Sequence, residues 1–246
     1  MEWMMPWKSF ISLSLLLIVG AAPIQAAKYK TIKGGVKNGG TVSGRIIFEG
    51  TAPSPVELKV NKDNDACGTN RPSEELLVDK NGGIANAVVS IIGVKKGKKW
   101  NLPKKFKYDQ KNCRFIPHVM LVRPSAGGKV MNSDAVGHNF HTVSKGIYNI
   151  NKKIKPNASM KVKKKKIKKS GTIRVKCDLH TWMGGWWIVA KTPYTKLTDG
   201  TGNFSIGDIP PGTYQLKVWQ EKLGEVEQAL VIKSGETQEI TVKMSL

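Results

Sequence analysis

Residues 172–183, Thr-Ile-Arg-Val-Lys-Cys177-Asp-Leu-His180-Thr-Trp-Met183, decide how this chain is read. Successive side chains of an extended segment point to opposite sides, so Ile173, Val175 and Cys177 share one face. Cys177 therefore points inward at the end of a strand, and the turn after it brings His180 and Met183 to the same spot. The text around this loop is that of a β protein. Residues 41–48, 86–94, 115–122, 186–190, 203–206, 213–219 and 238–243 are short runs rich in Val, Ile and aromatics. Turn signals such as Asn38-Gly-Gly40, Asp199-Gly200 and Pro210-Pro-Gly212 bound them. No stretch sustains a helical apolar period. Many short strands with frequent turns predict an all-β chain built of sandwiches or barrels.

A second cluster, Asn132-Ser-Asp-Ala-Val-Gly-His138-Asn139-Phe140-His141, lies upstream. Taken singly, Cys177 reads as inert packing, Met183 as core filler and His180 as a hydrogen-bonded histidine. Taken together, C-x-x-H-x-x-M at a strand end, with His138 from a distant strand, is a soft nitrogen-sulfur donor set. Two His and one Cys in a plane with a weak axial Met is the geometry of a blue copper site, whereas zinc seldom takes a thioether.

With these motifs, residues 115–190 resemble the cupredoxins, the amicyanin-like members in particular. The resemblance implies a Greek-key β-sandwich binding one type 1 copper ion through His138, Cys177, His180 and Met183. Asn139 then ties the two ligand loops together, while His118 and His141 are not ligands. With that ligand set, the exposed ring edge of His180, framed by Trp182, Met183 and Gly184-Gly185, is expected to be the apolar electron exit, because two glycines let another protein approach closely and an imidazole ligand couples directly to the metal. The flanks, Gly39-Gly-Thr-Val-Ser-Gly-Arg-Ile46 and Leu197-Thr-Asp-Gly-Thr-Gly-Asn-Phe-Ser-Ile206 through Pro210-Pro-Gly-Thr-Tyr-Gln-Leu216, resemble a carboxypeptidase regulatory-like, transthyretin-type β-sandwich. The expected division is a signal peptide at 1–26, an N-terminal β segment at 27–112, a copper domain at 113–192 and a small sandwich portion at 193–246. Residues 115–190 are short for the first fold, so strands from 41–95 are expected to complete or abut it.

Composition narrows the chemistry. Four histidines, at 118, 138, 141 and 180, are too few for a multicopper oxidase with a trinuclear cluster. Residue 176 is Lys, so no His-Cys pair carries electrons onward within the chain, and a lone loop cysteine excludes a binuclear purple site. Four protein ligands leave no open position for substrate, which argues for electron transfer and against an enzyme. Two other readings use the same residues: a periplasmic copper carrier or store, and a structural or adhesive sandwich whose copper site does not function.

With 40 Lys+Arg against 18 Asp+Glu the formal net charge is +22. Residues 10–22, FISLSLLLIVGAA, are too short to span a bilayer, which takes about 20 residues, and fit a secretory signal cleaved near Ala26 or Ala27. Export to the periplasm or beyond makes nucleic acid a poor partner. It also allows a disulfide between Cys67 and Cys113. Residues 152–169 carry ten Lys and no acid. They read either as a solvated edge kept from aggregating or as a docking patch, Lys163, Lys164, Lys165 and Lys166 with Trp182 and Gly184, for an acidic redox protein such as a c-type cytochrome or dehydrogenase, or for an anionic envelope surface.

Overall fold

Alternation along Gly40–Phe48, where Val42, Ile46 and Phe48 are buried between polar or half-exposed neighbours, recurs through the chain and folds it into two β-sandwiches. The computed structural model describes residues 29–246; the expected signal segment at 1–26 lies outside them. Among the described residues the sole α-helix is the single turn Asn64–Cys67, and no helix is long and apolar enough to cross a membrane.

One sandwich faces a four-stranded sheet with a five-stranded one. The first has the order Ser159–Val162, Gly127–Asn132, Lys105–Lys111, Arg114–Ile116, and the second Ile150–Ile154, His138–Val143, Gly171–Lys176, Gly184–Val189, Val119–Val122. Non-consecutive neighbours and two parallel pairings, 105–110 with 127–132 and 119–122 with 186–189, reflect crossovers of Greek-key type between the sheets. Tyr108, Phe115, Phe140 and Trp187, each 1% exposed or less, fill the core. Phe140 and Trp187 lie 5.1 Å apart between ring centroids, and Tyr108 stacks on Phe115 at 5.6 Å. Burying side chains of this size contributes about 2–3 kcal/mol apiece and dominates the sandwich's stability.

The other sandwich pairs the sheet Thr195–Leu197, Val88–Ile92, Gly212–Gln220, Gly224–Ile232 with the sheet Asn203–Ile209, Gly40–Phe48, Thr237–Met244. Its strands come from both ends of the described chain, so the first sandwich is an insertion between Ile92 and Thr195. Of the two roles expected for strands from 41–95, completing the first sandwich or abutting it, the structure shows the second, with Val88 packed against Val119 and Ile188. Gly40–Phe48 pairs in parallel with Thr237–Met244, and Val88–Ile92 pairs with Gly212–Gln220, so neither strand enters the first sandwich. Lys105–Lys111 completes that sandwich instead. The expected strand at 115–122 is divided at Pro117, which has no N–H for the ladder, and its halves serve different sheets.

The sandwiches meet at Val88, Val119 and Ile188, with Trp186 against Trp219 at 5.3 Å. Glu221, from the turn after Gly212–Gln220, crosses the junction with its side chain 4% exposed. It accepts from Trp186 Nε1 at 2.6 Å and Arg174 Nη1 at 3.2 Å, and pairs with His118 Nε2. Glu221→Ala would strand three groups gathered on one buried acceptor. A loss of about 3 kcal/mol is expected, read as a lowered midpoint in urea unfolding; an unchanged midpoint would mean that the apolar contacts alone hold the junction.

Candidate metal centre

Gly171–Lys176 is central in its sheet, paired on one side with Gly184–Val189 and on the other with His138–Val143. Its inward residues Ile173 and Val175 are fully buried, and Cys177 continues their face at 2% exposure. The chain then turns tightly: the Met183 amide donates to the His180 carbonyl at 2.9 Å, and the Cys177 amide to the Met183 carbonyl at 3.2 Å. His138 opens the neighbouring strand, where His138, Phe140 and Thr142 point inward.

The result is one buried cluster. A nitrogen of His138, a nitrogen of His180 and Cys177 Sγ lie within 4.8 Å of one another. His138 Nδ1 and His180 Nδ1 are 2.9 Å apart, and Cys177 Sγ is 3.7 Å from His180 Nδ1. Both histidines are fully buried and Met183 is 2% exposed in the same core. The Asn139 backbone N–H donates to Cys177 Sγ at 3.2 Å, so this residue links the two loops through its main chain, while its side chain bonds Asn151.

The outer nitrogens explain why this arrangement suits a cation. His138 Nε2 donates to Asp134 Oδ2 and His180 Nε2 to Asp63 Oδ2, each at 2.8 Å. A neutral imidazole that donates from Nε2 presents a bare lone pair at Nδ1. Two such lone pairs facing each other beside a thiol, away from water, repel unless a cation sits among them. Burial pushes the pKa of His138 down, against the opposing hydrogen bond to Asp134, and so favours the neutral form that binds metals. Carboxylates on the far nitrogens of ligating imidazoles fix ring orientation and raise donor strength. The donors therefore fit a soft, tetrahedral or trigonal metal ion.

His141 stands outside the cluster. It is partly exposed and bonds Asp178 at 2.9 Å; that hydrogen bond, with Lys176 and Asn151, holds the Asp178 carboxyl down at about 2. His118 faces Glu221 at the sandwich junction.

The expected exit is not at the surface. His180 is 0% exposed because residues 57–72 form a strap over it, carrying Asp63 to its outer nitrogen. Leu58, Arg71 and Pro72 of that strap line a cavity of about 100 Å³ together with Trp182, Met183 and Gly184. Trp182 is half-buried, with its ring 5.0 Å from that of His180 and its Nε1 enclosed without a partner. The glycines serve internal packing. A Cβ on Gly185 would come within 2.9 Å of the His118 carbonyl, and one on Gly184 within 2.7 Å of the Arg174 guanidinium. Lys163, Lys164, Lys165 and Lys166 are exposed at the end of the sandwich away from Cys177, where the Lys165 amide donates to the Ser125 carbonyl. Lys152 and Lys153 instead lie opposite Phe140 and Asn139, beside the cluster.

Asp63 and Asp134 were not singled out by the sequence. Asp134 lies four residues before His138, a spacing that could have drawn attention to it. Asp63 is 117 residues from His180 and carries no local signal.

Fold and site together define an all-β protein with a buried His-Cys-His cluster of metal-ligand type. Residues 170–240 match the family model described as polysaccharide lyase family 4, domain II, which spans the end of one sandwich and most of the other. That is a different family from the regulatory-like one that the flanking motifs resemble. No curated protein matches the sequence. Among solved structures the chain is similar to amicyanin from Paracoccus versutus, at 15% identity over 37% of this chain and 86% of that one, with a TM-score of 0.31. It is also similar to a purple cupredoxin from Nitrosopumilus maritimus, at 14% identity over 34% and 98%, TM-score 0.29. A third is a copper-containing nitrite reductase from Thermus scotoductus, at 16% identity over 41% and 25%, TM-score 0.32.

Proposed function

We propose that this protein is an exported mononuclear copper protein that passes single electrons between redox partners. The observation that carries the reading is the convergence of His138 Nδ1, Cys177 Sγ and His180 Nδ1 in a buried pocket closed by the Met183 turn. Copper bound there would supply a one-electron couple, tuned by the weak Met183 donor and the apolar shell. The residues supply rigidity. Asp134 and Asp63 fix the two rings, and the Asn139 amide supports negative charge on Cys177 Sγ. Such preorganisation lets one geometry serve both oxidation states. The test is addition of cupric ion to the purified metal-free protein, with the visible spectrum and metal content recorded. One ion per chain with an intense thiolate charge-transfer band supports the reading; no band, or binding without Cys177, sinks it.

Copper carriage or storage is favoured by one observation, the complete burial of His180 beneath Asp63. Reversible reduction without loss of metal separates the two, since a carrier gives up cuprous ion to a competing chelator and an electron carrier retains it.

The exposed lysines at 163–166 would steer an acidic partner such as a c-type cytochrome or a dehydrogenase. Replacing all four by Gln is expected to slow association roughly tenfold at low salt. The gap should close as the Debye length shrinks from about 10 Å at 0.1 M to about 3 Å at 1 M. Stopped-flow rates across that range are the measurement. Equal rates at low salt would leave these lysines, and those on the edge strands Ile150–Ile154 and Ser159–Val162, as guards against edge-to-edge aggregation.

A further inference from the structure

Cover and foundation of the cluster are joined by one covalent bond. The strap is a hairpin, Glu57–Leu58 against Arg71–Pro72, whose single helical turn ends at Cys67. Asp63 precedes that turn at φ 52° and accepts the Cys67 amide on its own carbonyl at 2.8 Å, while its carboxylate holds His180. Cys67 is disulfide-bonded to Cys113. Asn112 and Cys113 make the two-residue turn between Lys105–Lys111 and Arg114–Ile116, at φ 54° and 50°. Paired positive φ values are the type I′ hairpin geometry, costly for residues other than glycine unless something holds them. Asp134 does so, accepting the Asn112 amide at 2.6 Å and the Cys113 amide at 2.9 Å, and the oxygen that takes Cys113 also takes His138 Nε2. The outer contacts thus run unbroken from His180 through Asp63, Cys67, Cys113 and Asp134 to His138.

The strap is thinly packed. Residues 61–65 and 68–70 are exposed, with Val60 and Cys67 its buried residues. Segments with few buried contacts open at low cost unless they are tied down. The Arg71 guanidinium bridges the Cys67 and Asn112 carbonyls beside the disulfide.

We propose that Asp63 and Asp134 are positioning residues for the two imidazoles and that the Cys67–Cys113 disulfide is the clasp joining them, so that its reduction uncovers the His180 edge and loosens His138 at the same time. In that step a dithiol gives two electrons and two protons and closes to its own disulfide, while the Cys67–Cys113 bond opens to two thiols. The consequence at a metal rests on the copper reading; the test rests on the hydrogen bonds alone.

Metal-free protein labelled with ¹⁵N-histidine is followed by NMR for solvent exchange of the His138 and His180 Nε2–H protons, with and without excess dithiol. Reduction is expected to raise exchange at both rings about tenfold or more. The Cys67→Ser/Cys113→Ser protein should behave as the reduced wild type does. Asp63→Ala with the disulfide intact should raise exchange at His180 only, and Asp63→Asn, which keeps an oxygen acceptor, should restore protection. Unchanged exchange at both rings after verified reduction overturns the proposal. So does equal loss of protection at the core amides of Ile173 and Val175, which would report global unfolding rather than an opened clasp. A colourless copper-loaded wild type would instead overturn the copper reading and leave this result standing.

Discussion

Cys177→Ser is expected to abolish the visible charge-transfer colour of the copper-loaded protein entirely while leaving the chain folded. The colour requires a thiolate, and the described chain has no other sulfur that could become one: Cys67 and Cys113 are joined and Cys177 alone is free. Serine is nearly the same size, and its hydroxyl can accept the Asn139 amide that now points at Sγ. The stability cost is accordingly about 1 kcal/mol, the common value for a near-isosteric change. Affinity for cupric ion should fall because an alcohol, unlike a thiol, stays protonated at neutral pH and is a poor soft donor. Visible absorption at equal copper loading, with circular dichroism as the folding control, is the measurement. A variant that keeps the band would show that Cys177 is not a ligand, and the electron-transfer reading would go with it.

The contrast between what was and was not legible follows from sequence separation. His180 and Met183 belong to the same turn as Cys177, so local spacing brought them into view. Strands such as Gly40–Phe48 and Gly212–Gln220 showed their Val, Ile and aromatic alternation between clear turn signals. Lys105–Lys111, KFKYDQK, did not, because within it only Tyr108 and Gln110 are fully buried and, Phe106 apart, the rest of the text is charge. Ile150–Ile154 and Ser159–Val162 were hidden for a related reason, being edge strands whose lysines face solvent. The insertion of one sandwich into the other was invisible, since parallel pairing of residues 41–48 with 237–244 leaves no mark on either segment alone. The same holds for the covered His180 edge. A strap more than a hundred residues upstream removed from the surface the ring edge that the Gly184-Gly185 pair led one to expect there.

Asp134→Ala is expected to be the most damaging single change near the site outside the ligands themselves. One carboxylate, 7% exposed, accepts three donors: the Asn112 and Cys113 amides and His138 Nε2. Alanine leaves all three without an acceptor, in a turn whose two residues already hold left-handed backbone. Stranding a buried donor costs about 1–3 kcal/mol, and donors served by one group do not add fully, so a loss of about 3–5 kcal/mol is the expectation. Asp63→Ala should cost much less, because that side chain is 34% exposed and water can replace it on His180. Urea unfolding of the metal-free proteins gives both values. Asp134→Ala should also weaken copper binding about 10–100-fold, the usual penalty for losing the outer partner of a metal-bound histidine, as read by chelator competition. The two measurements separate two roles for one residue. A stability loss with unchanged affinity would make Asp134 a brace for the 112–113 turn alone. Weakened binding in Asp134→Asn, whose amide can still accept one of the backbone donors but brings an N–H toward the others, would show that the carboxylate itself holds His138 in the orientation that presents Nδ1 to the cluster.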